Sequence, residues 1–204
     1  LALAEAQRRG APINATEGRA ALLVALRGGG WADPPWGSAV AQAVLTREAE
    51  FGIGVLGPPS AELHAEHCAD DPYVIAFRAG HALQKRRRVG WKDLQAWRVV
   101  ALRSTSANRQ QIDEALAAAG IASPWFDEVE HLSSMLGLLR GGVGIGVLPR
   151  LALHAGAAVD LLSRPLHSPD VVRRIGLLKR RDTRLSRPAE DLWDMLRQQL
   201  MHHG

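Results

Sequence analysis

The sequence predicts an α/β fold from its alternation of helix-like and strand-like stretches, and two further observations predict a globular chain. Stretches with helical spacing of apolar residues alternate with short apolar stretches typical of buried strands, with no internal repeat or low-complexity segment. The chain has 204 residues, enough for one large domain or two small ones, and 47% of them are hydrophobic, which is ordinary for a globular core. No window approaches the roughly 18 consecutive apolar residues that a membrane span needs, so we expect no membrane partner.

The first predicted helix covers residues 38–50, because Ser38 can cap it and an apolar stripe follows at helical spacing. The stripe consists of Val40, Ala43, Val44 and Ala49. The segments "FGIGVL" (51–56) and "YVIAF" (73–77) predict strands, since both are short and apolar. After them, "WKDLQAW" predicts a short helix and "RVVAL" another strand.

The second half of the chain continues the alternation. "STSANRQQIDEALAAAG" predicts a helix with hydroxyl residues at its start and Gly120 at its end. "WFDEVE" predicts a strand, "HLSSMLGLLRGG" a helix that ends at its glycines, and "VGIGVLP" a buried strand that ends at proline. "RRIGLLKR" predicts a further strand, and "SRPAEDLWDMLRQQLM" an amphipathic helix with Ser186 as its cap and Pro188 in its first turn.

The glycine-rich segment "LLRGGVGIGVLPR" (138–150) raises the question of a phosphate-binding loop. A dinucleotide fingerprint places Gly-x-Gly-x-x-Gly after a strand and before a helix. Here the glycines follow a helix and precede a strand, and the third spacing fails. We therefore assign Gly141 and Gly142 to the end of the helix, and expect no cofactor.

The helix–glycine–strand–proline unit "LGLLRGGVGIGVLPR" resembles the signature of the effector-binding domain of LysR-type transcriptional regulators. Further segments similar to that family occur in the family's order, and the match covers residues 38–200. They are "REAEFGIGV", "DDPYVIAFRAGHAL", "WKDLQAWRVVAL", "RQQIDEALAAAGI" and "EVEHLSSMLGLL". The family's first strand is not recognisable in residues 1–37, so no effector residue is assigned there.

The resemblance implies a type 2 periplasmic-binding-protein-like architecture, with two Rossmann-like subdomains joined by two crossover strands. Subdomain I would comprise residues 1–72 and 167–204, and subdomain II residues 73–166, with a small-molecule effector in the cleft between them. The resemblance also implies a homo-oligomer, a dimer or tetramer, for which the apolar stripe of residues 38–49 offers a face. The family's winged helix-turn-helix is absent from this sequence, so we expect contact with DNA only through such a domain.

Two strand-to-helix turns carry the candidate effector residues. The first is "RSTSANR" (103–109), because hydroxyl side chains, free amides and the positive end of a helix dipole together suit an anion such as a carboxylate. The second is "EHLSSM" (130–135). The effector-binding candidates are Arg103, Ser104, Thr105, Ser106, Asn108, Glu130 and His131. The alternative at both turns is plain helix capping.

Other chemistry has weaker support. His64, His67 and Cys68 are metal-ligand types, but no partner cluster follows at a finger-like spacing, and we expect no metal. A nucleophile using Cys68 lacks any recognised motif, so we expect no catalytic residue and no enzyme. The alternatives that stay open are a free-standing solute-binding protein of a transporter and an enzyme of the same two-lobed shape.

The charge limits the classes of binding partner, and the cysteine content limits the cellular compartment. The net charge is +4 and the pI about 10.0, yet the basic run "KRRR" (85–88) is not interleaved with aromatic residues that stack on bases. A single cysteine and a charged start "LALAEAQRRGAP" in place of a signal peptide predict a cytoplasmic chain.

Overall fold

The computed structural model describes residues 23–24, 39–154 and 160–203. That part of the chain holds four α-helices: α1 (Ala39–Leu45), α2 (Ala107–Ala118), α3 (Leu132–Arg140) and α4 (Arg187–His203). Its strands are β1 (Leu23–Val24), β2 (Phe51–Val55), β3 (Leu63–Arg78), β4 (Val89–Gly90), β5 (Val99–Leu102), β6 (Trp125–Val129), β7 (Ile145–Pro149), β8 (Leu161–His167) and β9 (Val172–Arg180). Short 3₁₀ turns cover Ala82–Lys85, Trp91–Ala96 and Arg150–His154. No described helix combines the length and the apolar character that a membrane crossing requires.

The described residues divide into two compact units. Unit 1 holds residues up to Asp70 together with those from Arg174 onward, and unit 2 holds Asp71–Arg173. The chain passes from one unit to the other within β3 and returns within β9, so both connections are strands. The subdomain ranges expected from the sequence stay predictions.

Unit 1 is a sheet in the order β1-β2-β9-β3 with helices packed on it. β1 pairs with β2 in parallel, and β2 pairs with β9 in antiparallel register from Phe51↔Lys179 to Val55↔Ile175. The apolar stripe predicted for α1 lies in the core of this same unit, where Val40 and Val44 are fully buried. The stripe residues are therefore already packed inside the unit, and they do not offer a face for a second copy of the chain.

Unit 2 is a sheet in the order β8-β3-β7-β5-β6, with β4 added beside β8. β3 runs antiparallel to both β7 and β8, whereas β5 is parallel to both β6 and β7. Because parallel strands end at one edge of a sheet, the segments that follow β5, β6 and β7 share that edge. This carboxyl edge is where both predicted effector turns lie.

The helix and strand predictions are largely confirmed, with three differences. β3 begins at Leu63, ten residues before the predicted "YVIAF" strand, and β1, β4 and β8 were not predicted at all. Helix α1 stops at Leu45 instead of reaching residue 50. It stops because Arg47 takes the left-handed conformation (φ 64°) and the Ala49 amide turns back to the Ala43 carbonyl at 3.0 Å.

Candidate functional site

The structure brings the two predicted effector turns together at the carboxyl edge of unit 2. The 103–106 turn joins β5 to α2, and the 130–131 turn joins β6 to α3. The Arg103 amide donates to the Val129 carbonyl at 3.0 Å, and the Arg103 guanidinium lies 3.7 Å from the Glu130 carboxylate. Two turns that the sequence separates by more than 20 residues thus form one polar surface.

The hydroxyl groups of the 103–106 turn are not used for capping. Ser106 occupies the cap position of α2 with extended backbone angles, and its carbonyl accepts from Gln110 at 2.9 Å, but its side chain makes no cap hydrogen bond. Ser104 and Thr105 are exposed. The first amides of any α-helix have no partner inside the helix. Free hydroxyls and free amides therefore coincide at this helix start, which is the arrangement that binds an anion.

His131 takes the same position at the start of α3. It is exposed, it has extended backbone angles, and its side chain also makes no cap hydrogen bond. Its carbonyl accepts from the Met135 amide at 3.1 Å, as the first helical bond requires. Neither Ser106 nor His131 therefore caps its helix through its side chain, as the alternative interpretation required.

Asn108 differs from the other candidates because its side chain already has protein partners. Its Oδ1 accepts from the Tyr73 hydroxyl at 3.0 Å and from the Arg173 guanidinium at 3.2 Å. The same hydroxyl lies 3.2 Å from Gln111 Oε1, and Gln111 Nε2 donates to the Val172 carbonyl at 3.0 Å. Helix α2 is therefore anchored by side chains to β3 and to β9.

A buried carboxylate completes this cluster. Asp71 is 0% exposed, and its Oδ2 accepts from the Arg173 guanidinium while its Oδ1 accepts from the Leu151 amide at 2.9 Å. A buried charge is tolerated only when it is paired and hydrogen-bonded, and Asp71 meets both conditions. Burial also raises the pKa of Tyr73 above its ordinary value, so its hydroxyl stays protonated and able to donate.

Sequence reasoning missed the residues that support Asn108, namely Asp71, Tyr73, Gln111 and Arg173. One signal was available: "DDPYVIAF" contains the only tyrosine of the chain and an aspartate beside an apolar strand. A buried aspartate needs a cation, but nothing in the sequence selects Arg173, 102 positions away, among the other arginines.

The space beneath the turn is small. A cavity of about 10 Å³ lies between Tyr73, Leu102, Asn108, Trp125 and Pro149. That volume is close to the minimum for a single water molecule, so it is too small for an organic ligand. A ligand at this edge of unit 2 therefore contacts the turns themselves and does not enter the sheet's interior.

Arg109, next to the candidate residues, faces inward. Its guanidinium donates to Asp113 at 2.7 Å, to Glu128 at 2.8 Å and to the Leu102 carbonyl at 2.9 Å. The guanidinium carbon also lies 4.8 Å from the centre of the Trp125 ring. Of the two arginines that flank the turn, only Arg103 is exposed and able to meet a ligand.

Substitution of Arg109 with alanine is expected to lower the free energy of unfolding by about 2 kcal/mol, because its charge-assisted hydrogen bonds are lost together with the Trp125 contact. Arg103→Ala is the matched control, and its exposed pair with Glu130 predicts a change of less than about 0.5 kcal/mol. Chemical denaturation of both variants measures the difference. Equal stability of the two variants would contradict the assignment of Arg109 as a structural residue.

The structure also locates the metal-ligand types considered above. His67 and Cys68 are successive residues of β3, so their side chains leave opposite faces of the strand. His67 Nε2 lies 2.9 Å from Asp70 Oδ1, and burial raises the pKa of the Cys68 thiol. Among the residues that the structure describes, no group of three or more His, Cys, Asp or Glu side chains could hold a metal ion.

Two α/β units, connected twice through strands, define the class of type 2 periplasmic-binding-protein-like domains. Two solved structures share this fold. The effector-binding domain of QuiR in complex with shikimate has a TM-score of 0.64 and 18% identity, covering 81% of this chain and 78% of that one. The regulatory domain of CcmR from Synechocystis PCC6803 in complex with 2-PG has a TM-score of 0.63 and 19% identity, covering 79% and 76%.

The family follows from sequence comparison. Residues 36–201 match the model of the LysR substrate binding domain, and the chain belongs to this family. The HTH-type transcriptional regulator YbhD of Escherichia coli K12 is 34% identical over 155 residues, which are 76% of this chain and 49% of that protein. The chain thus spans about half the length of the curated relatives it matches. These relatives are regulators of transcription, which does not favour the transporter alternative.

Proposed function

We propose that this chain senses a small anionic effector for a LysR-type regulator, and that the 103–106 turn holds the effector's carboxylate or similar group. The observation that carries the proposal is the start of α2, where Ser106 leaves its hydroxyl unused beside the free helix amides. The domain family supports a small-molecule ligand, as do the two neighbours solved with shikimate and with 2-PG.

The candidate residues take distinct roles in this proposal. Ser104, Thr105 and Ser106 donate hydroxyl hydrogen bonds to the anion, and Arg103 supplies the exposed positive charge. Glu130 and His131 border the same surface and can bond polar groups on the effector's body. Asn108 positions the turn through its own protein partners. No catalytic residue and no cofactor enter the proposal.

The whole regulator would contain a DNA-binding winged helix-turn-helix domain in addition to this one, act in the cytoplasm and assemble as a homo-oligomer. The relatives' names and the twofold greater length of those proteins support the additional domain. The two subdomains of this chain would correspond to the two units, whose boundaries lie within seven residues of the ranges expected from the sequence, 1–72 with 167–204 and 73–166. Effector binding would then favour one state of the domain over another.

Removal of a hydroxyl that binds the anion is expected to weaken effector binding by about 1.5–3 kcal/mol, or roughly ten- to a hundredfold. A thermal-shift screen of small carboxylates first identifies an effector, and calorimetry then compares Thr105→Ala and Ser106→Ala with the parent protein. The proposal predicts weaker binding in both variants.

The matched control is Ser123→Ala. Ser123 lies before β6, at the opposite end of that strand from Glu130, and its exposed hydroxyl donates to Asp113 at 3.0 Å. The control should bind the effector as the parent does. Unchanged affinity in both Thr105→Ala and Ser106→Ala would refute the proposed anion site.

A further inference from the structure

A second polar pocket lies at the amino edge of the unit 2 sheet, away from the effector turns. It has a volume of about 230 Å³, and its lining includes Arg78, His81, Trp97, Arg98, Val143 and Gly144. Arg78 is the last residue of β3, while Trp97 and Arg98 precede β5 and Val143 and Gly144 precede β7. Since β5 and β7 are parallel, the amino-edge pocket lies at the end of the sheet opposite the 103–106 turn.

The pocket opens at the end of β3, beyond the last residue that pairs with β7. The pairing of β3 with β7 reaches Ala76↔Gly146 and stops there, whereas the pairing of β3 with β8 continues to Arg78↔Leu161. Gly144 forms part of the wall as bare backbone, because a Cβ there would lie 2.4 Å from the Arg98 carbonyl oxygen. The opening is therefore formed by the end of β3 and by the short segments that precede β5 and β7.

The pocket carries more positive than negative charge. Arg98 is paired with Asp127, through bonds of 2.5 and 2.9 Å, and its guanidinium carbon lies 5.0 Å from the centre of the Phe126 ring. Arg78 is exposed, its side chain lies beside Gly142, and it makes no ion pair or side-chain hydrogen bond within the residues that the structure describes. One cation at the pocket is thus left for a ligand.

The rest of the wall is apolar and aromatic. The centres of the His81 and Trp97 rings lie 4.6 Å apart, and Val143 is 40% exposed, so its side chain can meet a ligand. His81 Nδ1 accepts from the Leu83 amide at 3.2 Å, and burial lowers the pKa of His81, so the ring is neutral near pH 7 with its Nε2 as donor. The buried Trp97 indole N–H has no acceptor within the described residues.

We propose that the amino-edge pocket binds a small organic anion, with a carboxylate on Arg78 and an apolar or aromatic body against His81, Trp97 and Val143. The pocket's volume of about 230 Å³ suits a small ligand, such as a single ring with one charged group. A cation beside apolar walls favours a charged headgroup with a short apolar body over a bare inorganic ion.

The test uses benzoate as the probe and benzyl alcohol as its uncharged counterpart. Binding is followed by calorimetry and by the NMR signal of the Trp97 indole N–H, assigned with Trp97→Phe. The proposal predicts that benzoate binds and shifts the Trp97 signal, and that Arg78→Gln weakens benzoate binding roughly tenfold or more. Benzyl alcohol, which lacks the carboxylate, should bind the parent protein roughly tenfold or more weakly than benzoate does.

Two controls separate this pocket from other sites. Arg88→Gln removes an equal charge from an exposed position of the same unit and should leave benzoate binding unchanged. Thr105→Ala should also leave it unchanged, so that the pocket and the proposed effector turn succeed or fail independently. Equal losses in Arg78→Gln and Arg88→Gln, a loss in Thr105→Ala, or no benzoate binding at all would overturn the proposal.

Discussion

Replacement of Asp71 with alanine is expected to lower the free energy of unfolding by about 3–5 kcal/mol. The Asp71 carboxylate is fully buried, and it binds both the Arg173 guanidinium and the Leu151 amide. Its removal leaves Arg173, whose side chain is only 15% exposed, without its ionic partner, and leaves the Leu151 amide without an acceptor. An unpaired buried charge costs far more than the loss of an exposed pair.

Chemical denaturation of Asp71→Ala and of Asp170→Ala tests this expectation. Asp170 belongs to the same unit, but its side chain is 74% exposed and it contacts only His167, at 3.4 Å, among the pairs of described residues. We expect the control to change stability by less than about 0.5 kcal/mol. Similar losses of unfolding free energy in the two variants would show that the buried Asp71–Arg173 pair stabilises the protein no more than an exposed pair does.

The Gly176→Ala variant is expected to lose about 3 kcal/mol of stability, at the upper end of the cost of overpacking a core. A Cβ at Gly176 would lie 2.2 Å from the Glu66 carbonyl oxygen and 2.7 Å from Leu56 Cδ1. The closer of these atoms is backbone of the neighbouring β3, which cannot rotate away as a side chain can. The strands must therefore move apart or the variant must unfold.

Gly54 provides an internal control, because it pairs directly with Gly176 in the β2–β9 register. Within the part of the chain that the structure describes, a Cβ at Gly54 would meet no atom within 4 Å. Gly54→Ala should be neutral or stabilising by up to about 1 kcal/mol, through the reduced entropy of its unfolded chain. Thermal and chemical unfolding of the two variants should separate them clearly, and equal behaviour would contradict the close approach of β9 to β3.

The elements that the sequence predicted correctly are those whose signal is local. Helix α3 and strand β7 follow from the adjacent apolar runs and glycines of residues 131–149, and the helix α2 from its spacing. The first half of β3, "LHAEHCADD", carries too many polar residues to predict a strand, and it is one only because other strands pair with it. In β8, "LLSRPLH" holds an arginine and a proline that obscure the alternation.

In the site, too, the features with a local signal could be predicted from the sequence, and those that depend on distant residues could not. Three hydroxyl residues between a strand and a helix mark the 103–106 turn in the sequence alone. The inward direction of Arg109 depends on Glu128, and the support of Asn108 depends on Tyr73 and Arg173, which are distant in the chain. Contacts between distant residues leave no local pattern, so only the folded structure shows them.

The bonds of Asn108 have a consequence for how an effector could act. Asn108 is in the first turn of α2, two residues beyond Ser106, and its amide oxygen binds Tyr73 of β3 and Arg173 of β9, the strands through which the chain passes between the units. Suppose that an effector binds the turn more tightly when the hydrogen bonds of Asn108 are intact. Because coupling between two equilibria is reciprocal, the bound effector must then favour the state with intact bonds by the same factor as its gain in affinity. A fivefold difference in affinity corresponds to about 1 kcal/mol of such coupling. The strength of a single amide's hydrogen bonds would then set how strongly ligand occupancy is transmitted along the two connecting strands.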